Sequence, residues 1–139
     1  MSKYVSKADV SLDREDQRQA KILVIDDEEA VVRVLTQLLE RAGYEVASTQ
    51  SAKDGFWIQR ENPADLIIMD IFMPDVNGLE AIQRLKKTYP DTPIFAISGG
   101  STMAGRDCLE LAQEKGADYA FRKPFKAAEF VAAIGDALT

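Results

Sequence analysis

From Lys21 onward, short apolar runs alternate with stretches whose apolar residues recur every three or four positions. Ile22-Leu23-Val24-Ile25 is a continuous apolar run, as expected of a strand buried on both faces of a parallel sheet, and it ends on Asp26-Asp27. Val31, Val34, Leu35, Leu38, Leu39 and Ala42 then form a helical stripe that stops at Gly43. Tyr44 to Ser48 reads as a second strand, and Ala52 to Glu61 as a second helix closed by Asn62-Pro63. Leu66 to Met69 is a third strand, ending on Asp70; the turn residues Asp75 to Gly78 follow, then a third helix over Leu79 to Thr88. Pro93 to Ile97 is a fourth strand ending at Ser98-Gly99-Gly100, and Thr102 to Lys115 a fourth helix stopped by Gly116. A fifth strand over Ala117 to Arg122 runs into Lys123-Pro124, and Ala127 to Leu138 is the last helix. Strictly alternating strands and helices predict a doubly wound α/β sheet.

Residues 1–19 lack this pattern. They are polar, mixed in charge and poor in large apolar side chains, so they are expected to form a mobile arm, with only a faint helical pattern over Val10 to Arg18. The domain itself is expected over residues 20–139, a size at which one core suffices without staples.

Composition narrows the function. The net charge of −6 and the lack of a dense Lys/Arg cluster argue against a nucleic-acid partner. No apolar run approaches the ~20 residues of a membrane span and no signal-peptide core is visible, so a cytoplasmic protein is expected. The single cysteine, Cys108, cannot form an internal disulfide. Histidine is absent, which leaves carboxylates, hydroxyls and lysines to carry any chemistry.

Function in open α/β sheets sits beyond the carboxyl ends of the strands. Those ends carry Asp26-Asp27, Asp70, Ser98 and Lys123. Asp26-Asp27 alone would suit a helix N-terminus; with Asp70 and Lys123 in register, a shared site is the stronger reading. Two unit charges 4 Å apart repel by ~4 kcal/mol at a surface-like dielectric, so clustered carboxylates raise one another's pKa or recruit a cation. Hard oxygen ligands on a partly open site suit Mg²⁺. Such a cation leaves a carboxylate free to attack phosphorus and form an aspartyl phosphate, with Lys123 and Ser98 placed to contact phosphoryl oxygens.

The run Asp70-Ile71-Phe72-Met73-Pro74 with Gly78, the pairs Asp26-Asp27 and Ser98-Gly99, the segment Gly116-Ala117-Asp118 and Lys123-Pro124-Phe125 together resemble the receiver domain of two-component response regulators. The resemblance covers residues from about Ala20 to Thr139. It implies a flavodoxin-like sheet of strand order 2-1-3-4-5 flanked by five helices. It further implies Asp70 as phosphoacceptor, Mg²⁺ held by Asp26, Asp27, Asp70 and the backbone carbonyl of Phe72, and phosphoryl contacts from Ser98 and Lys123. A cis Lys123-Pro124 bond is implied as well. The expected partners are a sensor histidine kinase or histidine phosphotransfer protein and a downstream target, in a signalling switch without substrate turnover. No output domain is visible in the sequence, so the signal is expected to pass by binding or phosphorelay.

One position departs from the family pattern: Ala120 stands where an aromatic switch residue is usual, three positions before Lys123. Tyr119 and Phe121 are aromatic, but adjacent strand residues point to opposite faces. Phe72 and Gly100 border the phosphoryl position in this family, and neither can orient an attacking water, so a long-lived phosphoryl state is expected. Ala120 slightly favours the alternative of a phosphate-independent adaptor. A nucleotide or flavin site would want a phosphate-binding loop after the first strand, where Asp26-Asp27-Glu28-Glu29 repel phosphate. A haloacid-dehalogenase-type phosphatase would want an aspartate at position 72.

Overall fold

The structure is a computed structural model that describes residues 19–100, 102–103 and 105–139. The expected arm over 1–19, with its faint helix, lies outside the described residues except for Gln19. In chain order the elements are β1 Lys21–Ile25, α1 Glu29–Arg41, β2 Glu45–Thr49, α2 Ala52–Glu61, β3 Leu66–Asp70, α3 Gly78–Thr88 and β4 Ile94–Ser98. They continue with the short strands β5 Thr102–Met103 and β6 Arg106–Asp107, then α4 Cys108–Glu114, β7 Tyr119–Arg122 and α5 Ala127–Leu138.

The main sheet is parallel throughout, in the order β2-β1-β3-β4-β7. This is the expected 2-1-3-4-5 order with five flanking helices, β7 being its fifth strand because β5 and β6 pair separately. The continuous apolar runs of β1, β3 and β4 have their cause in this arrangement. They are the inner strands, and alternate residues feed two cores. Ile22, Val24, Leu66, Ile68, Phe95 and Ile97 pack under α1 and α5 with Leu35, Leu39, Phe130 and Ile134. Leu23, Ile25, Ile67, Met69, Ile94 and Ala96 pack on the opposite face with Ile82, Leu85 and Ala112. Cys108 is fully buried in that second core, consistent with a packing residue.

The loops beyond β3 are tightly constrained. Asn77 caps α3 through its side-chain oxygen, which accepts from the Leu79 N–H at 2.9 Å. Gly78 follows, and a Cβ built there would lie 1.9 Å from the Ile71 carbonyl oxygen. Only glycine allows this approach of the α3 start to the chain leaving Asp70. At the other end of the sheet, the buried Gln59 amide accepts from Ala64 N at 2.8 Å and donates to Ala64 O at 3.2 Å, tying α2 to β3.

The fourth helix is shorter than the sequence predicts. It begins at Cys108, not Thr102, and a two-stranded hairpin occupies the preceding residues. Gly105 adopts φ +77°, which breaks a right-handed helix. Asp107 then restarts it as N-cap, accepting from Leu109 N at 2.9 Å. The apolar spacing across 102–115 hid both signals.

Candidate functional site

The sheet order reverses between β1 and β3, and the polar strand ends collect beyond that point. Asp26 closes β1 and is fully buried; its Oδ1 accepts from Glu28 N at 2.9 Å. Asp70 ends β3 at 4% exposure, and its Oδ1 accepts from Phe72 N at 3.2 Å. Each carboxylate is thereby aimed by the chain that turns away from its own strand. Asp26, Asp27 and Asp70 each bring a carboxylate oxygen within 4.8 Å of the others.

Lys123 reaches the same place from the end of β7, where the Lys123-Pro124 bond is cis. Its Nζ lies 2.9 Å from Asp26 Oδ2, 2.9 Å from Glu28 Oε1 and 3.6 Å from Asp70 Oδ2. Burial alone would lower the Lys123 ammonium, but contacts with Asp26 and Glu28 and the Asp70 charge outweigh it and hold the group above its ordinary value. Asp70 is pushed up to about 6, first by burial and next by the Asp26 charge, against the opposing pull of Lys123 and the Phe72 N–H. Glu28 is a partner of Lys123 that the sequence reading did not single out; its signal was the unbroken acidic run after β1.

Asp27, Glu28, Asp70, Phe72, Gly99, Gly100 and Lys123 line an opening of about 440 Å³ over these carboxylates. Phe72 is 40% exposed at its rim. Its ring lies against Gly100, where an added Cβ would be 2.4 Å from Phe72 Cε2. Ser98 ends β4 as expected but does not line the opening. It is fully buried, and its Oγ accepts from Gly100 N at 3.0 Å. Its backbone carbonyl accepts from Lys123 N at 2.8 Å, which joins the β4 and β7 ends. Ala120 faces the core under α2, α3 and α4, whereas Tyr119 and Phe121 pack against Phe95 and the α5 side. The alternation expected for these three residues is therefore observed.

The donor set fits a hard divalent cation. It consists of the Asp26, Asp27 and Asp70 carboxylates, with oxygens within 4.8 Å of one another in a partly open pocket, faced by the single ammonium of Lys123. One ammonium does not offset three clustered carboxylates, so a further cation is favoured there.

A doubly wound parallel sheet with an acidic pocket at its switch point defines the class: a flavodoxin-like domain whose site is built from carboxylates. The sequence profile of the response regulator receiver domain matches residues 22–135. The chain is 41% identical over 119 residues to the DNA-binding transcriptional regulator NtrC of Azospirillum brasilense, covering 86% of this chain and 24% of that protein. Among solved structures, a response regulator receiver domain protein from Clostridium thermocellum aligns with a TM-score of 0.77 at 34% identity. That alignment covers 86% of this chain and 94% of the other. A CheY-like receiver domain protein from Methanospirillum hungatei aligns with a TM-score of 0.79 at 26% identity, with the same coverage of both chains. The chain belongs to the response regulator receiver domain family. Members are two-component signalling switches, phosphorylated on an aspartate, that bind Mg²⁺ at an acidic pocket and work with histidine kinases and downstream effectors. The chain spans about a quarter of the length of the NtrC regulators it matches, 24% in each case. None of the described helices is long and apolar enough to cross a membrane.

Proposed function

We propose that this chain is an Mg²⁺-dependent phosphoryl switch in which Asp70 accepts the phosphoryl group of a partner's phosphohistidine. The observation that carries the reading is a buried aspartate at the sheet's switch point, flanked by two further carboxylates and a lysine. With no histidine in the chain, the donor imidazole belongs to a histidine kinase or histidine phosphotransfer protein.

In the transfer, an ionised Asp70 oxygen attacks phosphorus. The phosphorus–nitrogen bond breaks, its electron pair returns to the imidazole, and an acyl phosphate forms. Although burial and the Asp26 charge raise Asp70 to about 6, it stays mainly ionised at pH 7, and a carboxylate nucleophile needs no general base. Lys123 exchanges part of its contact with Glu28 and Asp26 for a phosphoryl oxygen, and the Ser98 hydroxyl donates to another. Asp26, Asp27, Asp70 and the Phe72 carbonyl would hold Mg²⁺, which supplies positive charge to offset the phosphoryl oxygens. Hydrolysis reverses the charge bookkeeping: water attacks phosphorus, inorganic phosphate leaves and the Asp70 carboxylate is restored. Phe72 covers the loop beside the pocket and offers no group to orient that water, which supports a long-lived phosphoryl state.

The signal then passes to a downstream protein by altered binding or by phosphorelay. A phosphate-independent adaptor is the second reading, favoured by Ala120, which leaves no aromatic ring to turn inward on that face of β7. The two separate by intact mass after incubation with acetyl phosphate. One added phosphoryl group that requires Mg²⁺ and is absent from Asp70→Asn supports the switch. No addition, together with no Mg²⁺ binding, moves the assignment to the adaptor.

A further inference from the structure

Between α2 and α3 the surface carries a groove of about 540 Å³ that shares no lining residue with the carboxylate pocket. Lys53, Phe56, Trp57 and Arg60 line it from α2, at the three- and four-residue spacing that puts side chains on one helix face. Arg84 closes it from α3, its guanidinium 4.6 Å from the centre of the Phe56 ring, within cation–π range. Phe56 is half-buried against the core, whereas Trp57 is 58% exposed. An indole left in water above an apolar floor is the kind of side chain that anchors a bound partner.

The groove runs against the charge of the chain. The protein carries −6 overall, yet three of the four charged side chains lining the groove are cationic. The one carboxylate, Asp75, is committed to the start of α2, where its Oδ2 accepts from Ser51 Oγ at 3.1 Å and from Lys53 N at 3.3 Å. Arg60 pairs with its neighbour Glu61 at 3.3 Å, but both side chains are exposed and such a contact holds little energy. Among the described residues, Lys53 and Arg84 form no ion pair. A lone exposed tryptophan is ordinary; one set among cations that lack strong partners, on an acidic protein, calls for an acidic ligand.

Lys53 and Arg60 stand two helical turns apart, about 10 Å along the axis, with Trp57 between them. We propose that the α2–α3 groove docks an acidic segment of a partner protein, one large apolar side chain flanked on both sides by carboxylates. The apolar side chain packs on Trp57 and Phe56, while Lys53, Arg60 and Arg84 select the charge and speed the encounter. Cations spread along a helix face, with Asp75 at one end, suit separate carboxylates better than the clustered charge of a nucleotide. A second copy of the chain is disfavoured, because two bodies of charge −6 repel each other. Docking here requires no phosphoryl chemistry at Asp70.

Trp57 is the chain's single tryptophan, so its fluorescence reports on this groove. The free protein is expected to emit as a solvent-exposed indole and to be quenched freely by acrylamide. The probe is a random-peptide library displayed on phage and selected on the immobilised full chain, without Mg²⁺ or phosphodonor. Selected peptides are expected to carry an apolar residue between acidic ones and to shift Trp57 emission to shorter wavelength. They should bind Arg84→Glu about five- to ten-fold more weakly than wild type. Because Arg84 covers Phe56, Lys53→Glu is the second variant; it is exposed in the first turn of α2, where an acid suits the helix, and the same weakening is expected. Selection of no peptide, of sequences without carboxylates, or of peptides indifferent to both substitutions overturns the proposal. Displacement of the peptide by ATP at equal concentration overturns it in favour of a nucleotide site. Trp57 emission already at short wavelength and protected from acrylamide in the free protein overturns it as well. A sedimenting dimer then assigns the groove to a second copy, and a monomer to another segment of this chain.

Discussion

Asp70 carries opposing demands at the scale of a single residue. Burial and the Asp26 charge raise its pKa to about 6, from an unfolded value near 3.8. For a carboxyl raised on folding, the native state prefers the protonated form. The fold is therefore penalised progressively as pH climbs from about 4 through 6, fully so above that, and not at all below 4. Asp70→Asn removes the penalty. In Mg²⁺-free buffer it should stabilise the protein by about 3 kcal/mol at pH 7 and by almost nothing at pH 3.5. Urea unfolding at both pH values measures this, and an equal gain at the two would refute the electrostatic cause. Phe72 is the second residue with a separable role. Its ring lies against Gly100 at the pocket rim, and an amide in its place could orient water, so Phe72→Asn should hasten loss of the phosphoryl group roughly three- to ten-fold, a step of about 1 kcal/mol in barrier. Decay followed by intact mass after donor removal decides it; an unchanged or slower decay rejects the shielding argument.

Elements differ in how well the sequence announced them. β1, β3 and β4 were legible because burial on both faces demands unbroken apolar runs, and Ile22 to Ile25 or Leu66 to Met69 satisfy no helical period. The expected site residues sat at strand ends, where topology alone brings Asp26, Asp27, Asp70 and Lys123 together. The hairpin before α4 was not legible: an apolar period survives across it, and its cause is a positive φ at Gly105 and a cap at Asp107 whose partner, Arg122, is distant in sequence. Nor could the sequence show that Ser98 faces Gly100, since a hydroxyl's partner depends on loop geometry. Gly78 is the element-scale position with the sharpest consequence. The start of α3 touches the backbone leaving Asp70, and any Cβ there overlaps the Ile71 carbonyl. Gly78→Ala should cost about 3 kcal/mol or more, and it should also weaken Mg²⁺ binding by displacing the Asp70 to Phe72 segment. Thermal unfolding and Mg²⁺ titration of the variant test both. A cost under about 1 kcal/mol would mean that α3 can shift without strain.

Across the whole molecule the site and the fold oppose each other. A chain with net charge −6 gathers Asp26, Asp27, Glu28 and Asp70 around Lys123, two of those carboxylates buried. Folding therefore assembles a repulsive cluster, which stays open to ligand because the sheet, not the site, supplies the stability. That arrangement suits a switch: a group added at the pocket shifts the population of conformers only by its differential affinity for them, and ~5.5 kcal/mol is needed to invert a 1:99 ratio. The same logic makes a divalent cation a stabiliser. At a concentration 100 times its dissociation constant, Mg²⁺ should add about 2.7 kcal/mol and raise the unfolding temperature by about 10 °C. Asp27→Asn, which removes the most accessible of the three carboxylates, should shift that response to higher Mg²⁺. Part of any gain could come from screening alone, so the comparison is with NaCl at matched ionic strength. Screening would act alike in both salts and in both proteins, whereas a bound ion acts at low Mg²⁺ and depends on Asp27. Equal melting curves in the two salts would remove the cation from the site and, with it, the counter-charge on which Asp70 depends to accept a dianionic group.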